Sequence, residues 1–410
     1  MDFVDYNHVL DFLSQCEKGV CDLYRDIDKI VLYNQNKVLN AFKKARVALT
    51  DFAGSSGYGY DDRGKNKLGD IVADIFGAES ALVSPNFTCG THALSCTLFG
   101  LLRPGDLMLS ISGEPYDTLK EVIGGNDIGS LKDMGIKYAQ VDLKDGKFDV
   151  SSITSKIKAL KPKLIFIQRS RGYQDRDAFS IEQLKDIIDE IHNINKKCII
   201  MVDNCYGEFI ETKEPTEVGA DIAVGSLIKN MGGGLAPTGG YVAGRAELVD
   251  KVARHLTAPT LGSEVGSYKS GYSEFFEGIF MAPHVVGGVL KGVLLMSSAL
   301  TKLGYKTNPK PDAIPKDIIC MIELGTEEKL IAFCKTIQEN SPVDSFLSPE
   351  PWDMPGYTSK VIMAAGTFIQ GASIELSCDG PVKPPYRLYL QGGLTYEHIK
   401  IALANALLKL

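Results

Sequence analysis

The chain has 410 residues, 44% of them apolar and 23% charged, which places it among folded globular proteins and above the usual size of a single hydrophobic core. Its net charge of -7 and scattered basic residues exclude a broad positive field for nucleic-acid phosphates. Nine cysteines, odd in number and set mostly within apolar runs, exclude a small-domain disulfide framework and point to a reducing compartment, the cytoplasm by default.

The N-terminal stretch MDFVDYNHVLDFLSQCEKG carries acids where a secretory leader needs basic residues, so it does not read as a targeting segment. Residues 1–55 read as an N-terminal helical segment, with Val31, Val38 and Phe42 at helical spacing. The polar stretch DFAGSSGYGYDDRGKNKLGD then breaks the pattern and reads as a long loop, a feature often tied to function.

Across residues 56–260 the pattern becomes short β-rich runs separated by amphipathic stretches. The runs are SALVSP, DLMLSIS, IKYAQVDL, PKLIFIQ, CIIMVDN, DIAVGSL and TGGYVAG. This alternation predicts an α/β domain: a mostly parallel seven-stranded sheet with helices on both faces and ligands at the carboxyl ends of the strands.

Residues 261–410 begin with an apolar run from His284, interrupted by Lys291 and several glycines, which reads as a buried helix rather than a membrane span. A Pro-rich connection, NPKPDAIPKD, leads to helix (TEEKLIAFCKTIQEN), strand-like segments (KVIMAAGTFI, ASIELSCD, YRLYLQGG) and a closing helix. Together these predict a smaller C-terminal α+β domain.

Three features carry chemistry. In CIIMVDNCYGEF a buried strand ends in Asp203, a carboxylate that needs a cationic partner or several donors if it lies in an apolar setting; in isolation it would be an ordinary loop or capping aspartate. One strand later, in GSLIKNMGGGLAPTGGYVAG, stands Lys229. Dry walls would favour its neutral, nucleophilic amine, whereas a lone lysine at a strand end would simply be solvated. In SPNFTCGTHALSC a strand, a short loop with Gly90 and a helix start offer unpaired amides to an anion, with the Thr91 hydroxyl beside them. No Walker motif and no G-x-G-x-x-G occurs. Cys89, His92 and Cys96 could share a helical face, but no second Cys/His pair accompanies them, so they read as packed thiols and a site-lining histidine rather than a metal site.

An anion loop, an aspartate at a strand end and a lysine after the next strand together resemble the fold-type-I pyridoxal-phosphate enzymes from about residue 55 onward. Within them the chain resembles the cystathionine lyase and methionine γ-lyase group. The closest likeness is to the branch known as aluminium-resistance proteins, through GYGYDDRG, CGTHAL, PYDTL, QRSRGY, VDNCYGEF and the long lysine motif.

The resemblance implies pyridoxal 5'-phosphate as cofactor. Lys229 would attach it covalently and later take the substrate's Cα proton, while Asp203 would keep its ring nitrogen protonated. Tyr116 would stack on the ring, and Cys89, Gly90, Thr91 and Ser226 would hold the phosphate. Tyr60 and Arg63 would reach the site of a neighbouring subunit, which implies a homodimer or a dimer of dimers, with Tyr60 also serving catalysis. Arg387 would grip the substrate α-carboxylate, with Tyr58 and Arg171 shaping the substrate pocket.

Two departures from the better-known lyases stand out. Ile228 replaces the threonine before the lysine, and QRSRGY brings Arg169 and Arg171 to a turn that otherwise carries Pro and Asn. Those arginines could bind an acidic group or merely pair with the neighbouring acids. The expected activity is β- or γ-elimination of a thiol from an amino acid, with transamination, racemisation, or cofactor binding without turnover as alternatives. No recurring carboxylate cluster suits a hard trivalent cation, so any link to aluminium would be indirect.

Overall fold

The computed structural model describes residues 3–125, 129–354 and 359–410. Helices α1 (Tyr6–Gly19) and α2 (Cys21–Ala45) are followed by α3 (Arg63–Phe76). The polar stretch before α3 is therefore shorter as a loop than its composition predicts. The Asp62 carboxylate accepts the Lys65 amide at 3.0 Å and caps a helix whose Leu68, Ile71, Val72 and Ile75 are buried.

The large sheet comprises β1 (Ser80–Ser84), β2 (Leu107–Ser110), β3 (Lys137–Gln140), β4 (Leu164–Gln168), β5 (Ile199–Asp203), β6 (Ile222–Ser226) and β7 (Gly240–Gly244). The spatial order is β1-β7-β6-β5-β4-β2-β3. β7 runs antiparallel to both neighbours and the other pairings are parallel. Helices α4 (Gly90–Leu101), α5 (Asp117–Gly124), α6 (Val150–Leu160), α7 (Ile181–Ile194) and α8 (Ala246–Leu256) complete this layer. The central strands β4, β5 and β6 are buried along their whole length, which is why they read as uninterrupted apolar runs.

Helix α9 (Ser273–Lys302) is long and apolar enough to cross a membrane by length and composition, yet 72% of its most apolar window is buried inside the protein. It packs against α1, α2 and the C-terminal helix α11 (Tyr396–Leu407). Beyond α9, five strands form a second, antiparallel sheet: β8 (Lys306–Asn308), β9 (Ile319–Glu323), β10 (Val361–Ala364), β11 (Ser377–Pro381) and β12 (Arg387–Gln391). Their order is β10-β11-β12-β9-β8, and α10 (Glu327–Glu339) lies between β9 and β10 in the chain.

Two of these strands, β8 and β9, flank the Pro-rich connection and were not anticipated from it. In ASIELSCD only the end enters the sheet. Before it, the Glu375 carboxylate holds a turn by accepting the amides of Phe368 and Ile369 at 2.8 and 2.9 Å.

A buried ion pair joins the two sheets. Arg171, in the loop after β4, donates from Nε and Nη2 to the Asp317 carboxylate at 3.0 and 3.1 Å, and both side chains are only 1% exposed. The same guanidinium bonds the Asn308 backbone oxygen at 2.9 Å and also the Asn308 side chain. Arg169 is likewise engaged, with Glu211 at 2.9 Å, Asn204 at 2.9 Å and the Gly207 oxygen at 2.8 Å. These two arginines therefore hold the frame together: they pair with acids, though with Glu211 and Asp317 rather than with the acids next to them in the sequence.

Beneath β5 and β6 lies a buried carboxyl layer. Tyr241 donates to Glu208 Oε1 at 2.7 Å, while Glu208 Oε2 is buried with no hydrogen-bond partner. Burial pushes Glu208 up to about 8. Glu214 accepts from Asn204 at 2.8 Å and from the Phe209 amide at 3.0 Å.

Two outcomes are expected. Arg171→Met leaves Asp317 buried without its cation and should lower the unfolding free energy by about 3–5 kcal/mol in denaturant titrations, and adding Asp317→Leu should recover most of it. Glu208 has a folded pKa above its unfolded value, so the folded state holds the extra proton. Its contribution to stability is full below about pH 4 and is lost as pH rises through about 8. Glu208→Gln should flatten that part of the stability–pH profile; equal slopes in both proteins would refute the assignment.

Candidate functional site

The carboxyl ends of β4, β5 and β6 present Gln168, Asp203 and Ser226 at one edge of the large sheet, with Lys229 just beyond β6. The start of α4 and Tyr116 at the head of α5 face them. Ile319, Asp379, Tyr389 and Gln391 of the second sheet, with the Gln370–Gly371 turn, close the other side around a cavity of about 570 Å³. That volume suits a small organic ligand.

Asp203 ends a wholly buried strand and is 3% exposed. Its Oδ1 accepts the Cys205 amide at 3.1 Å. Burial raises its pKa, against the pull of Lys229 and of that amide. Lys229 Nζ stands 4.3 Å from the centroid of the Tyr206 ring. Burial favours the neutral amine, but Tyr206, Cys205, Tyr116 and Asp203 outweigh it and hold the ammonium well above the ordinary lysine range. Asp203 is the one carboxylate in that set. The Asp203 carboxylate thus opposes the effect of burial on the Lys229 amine.

The turn beneath the lysine is built from glycine for steric reasons. A Cβ on Gly232 would lie 1.8 Å from the Leu227 oxygen, and Gly233 and Gly234 have φ of +55° and +78°. The backbone of this turn presses against α9 at the Gly278 oxygen, so Lys229 rests on a rigid base.

The anion cradle also assembles. Cys89 caps α4, its sulfur accepting the His92 amide at 3.4 Å, and the first-turn amides of α4 lack helical partners. A Cβ on Gly90 would stand 3.3 Å from Ser226 Cβ and 3.5 Å from Cys205 Sγ, so glycine keeps this cradle wider than a larger residue would. Ser226 is fully buried and its Oγ accepts the Ile228 amide at 3.3 Å. Thr91 Oγ1 lies 2.9 Å from the Tyr116 hydroxyl, and the Tyr116 amide donates to Gln168 Oε1 at 2.9 Å. Tyr116 is thereby fixed on the cavity wall.

The cysteines and histidine near this cradle are otherwise occupied. His92 Nδ1 accepts the Thr88 amide at 3.1 Å, and Cys96 is buried, with burial pushing its thiol up to about 11. No three metal-ligating side chains gather among the described residues.

Four expected site residues lie elsewhere. Arg387 borders an adjoining cavity, not the one that holds Lys229, and donates to Glu323 and Asp175 at 2.9 Å each. Arg387, Tyr389 and Gln391 share a face of β12, but Arg387 lies at the strand's start, and of the three Tyr389 and Gln391 line the cavity. Tyr58 and Tyr60 stack on each other 5.3 Å apart, exposed by 64% and 58%, outside the cavity lining. Arg63 is also outside it and pairs with Asp51 at 3.1 Å. Arg171 does border the cavity, with its guanidinium engaged as described.

Sequence reasoning missed Tyr206, Gln168, Asp379 and Tyr389. Tyr206 sits in the quoted VDNCYGEF motif and takes a left-handed φ of +69°, costly for a bulky residue. Its hydroxyl lies 2.9 Å from Ser373 Oγ and links the lysine to the second sheet's side of the cavity.

The methionine gamma-lyase family model matches residues 9–410. The uncharacterized protein YnbB of Bacillus subtilis is 49% identical over 396 residues, covering 96% of this chain and 94% of that one. The crystal structure of a carbon-sulfur lyase involved in aluminum resistance from Clostridium novyi NT is 48% identical with a TM-score of 0.94, covering 98% of this chain and 96% of that one. The pyridoxal-5'-phosphate dependent protein YhfS from Escherichia coli, 17% identical, has a TM-score of 0.63 over 94% of this chain and 97% of its own, a likeness of the fold-type-I architecture alone. Matched over nearly its whole length, this chain belongs to the methionine gamma-lyase family.

Proposed function

We propose that this protein is a pyridoxal-phosphate-dependent carbon–sulfur lyase that removes the Cα proton of a sulfur-containing amino acid and releases its β- or γ-thiol. The observation that carries the reading is a part-buried Lys229 in one cavity with the buried Asp203 and the glycine-lined start of α4. The residues fit the cofactor. Gly90 leaves a cradle that a Cβ would fill, Ser226 and the first amides of α4 suit a phosphate, and Asp203 is a buried carboxylate for a protonated ring nitrogen.

When bound, the cofactor supplies an electron sink for the carbanion left at Cα. Asp203 would hold the ring-nitrogen proton, and Tyr116, fixed through Thr91 and Gln168, would lie along the ring. Lys229 would provide the attachment amine and then carry the proton away from Cα, oriented by the Tyr206 ring beneath it. Ile228 offers no hydroxyl to the phosphate and instead lies toward Gly371, keeping that wall apolar.

Tyr60 and Arg63 would complete the site of a second copy of the chain, which gives a role to an exposed aromatic pair and to an arginine 63% exposed.

Lys229→Ala should lose the visible absorbance of lysine-bound cofactor after incubation with pyridoxal phosphate, and lower turnover by at least about 10²–10⁴-fold. A panel of sulfur amino acids, scored for thiol and keto-acid release with amino acceptors supplied separately, should give release without an acceptor; acceptor-dependent turnover would replace elimination with transamination. Mixing inactive Lys229→Ala and Tyr60→Ala proteins should restore activity that neither has alone, because one hybrid site then holds both residues. No restoration would refute a shared site.

A further inference from the structure

The cavity wall opposite Lys229 holds a carboxylate that the proposed chemistry does not use. Asp379, on β11, stands opposite Tyr389 of β12 in the second sheet. Its Oδ2 accepts the Tyr173 hydroxyl at 2.7 Å, and its Oδ1 is buried with no hydrogen-bond partner. Tyr173 is held in turn: its ring lies 4.7 Å from that of Tyr389, whose hydroxyl donates to the Tyr173 oxygen at 2.7 Å.

Among the described residues, no lysine, arginine or histidine forms an ion pair with Asp379. The nearby arginines are committed elsewhere, Arg171 to Asp317 and Arg387 to Glu323 and Asp175. A part-buried carboxylate with one neutral donor and one buried, unpartnered oxygen is under-satisfied, and a positioned cation is the group that satisfies it best. Asp379 and Lys229 border the same cavity, so one ligand can meet both. A carboxylate end of the substrate would be repelled at this point and must lie elsewhere.

We propose that the Tyr173–Asp379 pair is a specificity subsite for a protonated amine on the sulfur-bound branch of the substrate, so that the preferred substrates are aminoalkyl thioethers of amino acids rather than neutral alkyl thioethers. This rests on the reading of the cavity as a cofactor-dependent amino-acid site. It adds the substrate class to that reading.

The test uses the holoenzyme with S-aminoethyl- and S-aminopropylcysteine against the methyl-ended S-propyl- and S-butylcysteine. Wild type should favour the amines in kcat/KM, and Asp379→Asn should lower the amine-to-alkyl ratio about 10- to 100-fold. Tyr173→Phe, which keeps the carboxylate, should lower it less. A wild-type ratio of one or below, or a ratio unchanged in Asp379→Asn, overturns the subsite even if elimination occurs. If none of the compounds is turned over, binding read from the cofactor's absorbance decides. An amine preference lost in Asp379→Asn upholds the subsite while the lyase reading fails, and no preference overturns the subsite.

Discussion

The site depends on two opposite charges that a dry interior would not tolerate singly. Asp203 ends a strand buried along its whole length, and Lys229 follows the next strand in the sheet. Asp203, buried, would carry a desolvation penalty of several kcal/mol without a cation near it. Parallel neighbours bring their carboxyl ends to the same edge, so the sheet topology itself places the pair. The glycine turn under the lysine and the left-handed Tyr206 beside it are local departures from easy backbone geometry, and both serve to seat the amine.

The layer below behaves differently because its groups are neutral or fully bonded. Arg169 satisfies its guanidinium with a carboxylate, a side-chain amide oxygen and backbone oxygens, so its burial leaves little unmet demand. Glu208 lacks a cation and keeps its proton into neutral pH instead. Glu208 therefore adds no full competing anion beneath Asp203 and Lys229 at neutral pH.

How far the sequence discloses this follows from where each signal resides. Strands β4, β5 and β6 are contiguous apolar runs whose last residues turn polar, so their ends, and with them Asp203 and Lys229, are legible without any partner. The Gly90 turn is legible for the same reason, as a strand followed by a helix start. The second sheet is not. Its strands are short and antiparallel, and which residue of YRLYLQGG reaches the cavity depends on register against β9 and β11, which no local pattern supplies. That is why Arg387 looks like the carboxylate anchor in the sequence while Tyr389 holds the inward place in the fold.

The displacement of Arg387 changes the electrostatics of the substrate side. Its guanidinium is neutralised by Glu323 and Asp175 outside the cavity, while the inward face of the second sheet offers Tyr389, Gln391 and the carboxylate of Asp379. The half of the cavity built by the large sheet presents Lys229, Asp203, Ser226 and the start of α4. The other half is polar to acidic rather than basic. Selectivity between substrates that share the same reacting end must then arise from that half. Its shape is in turn held by the Arg171–Asp317 pair that ties the loop after β4 to the start of β9. The buried arginine at position 171 thus shapes the cavity both by lining it and through the frame it clamps.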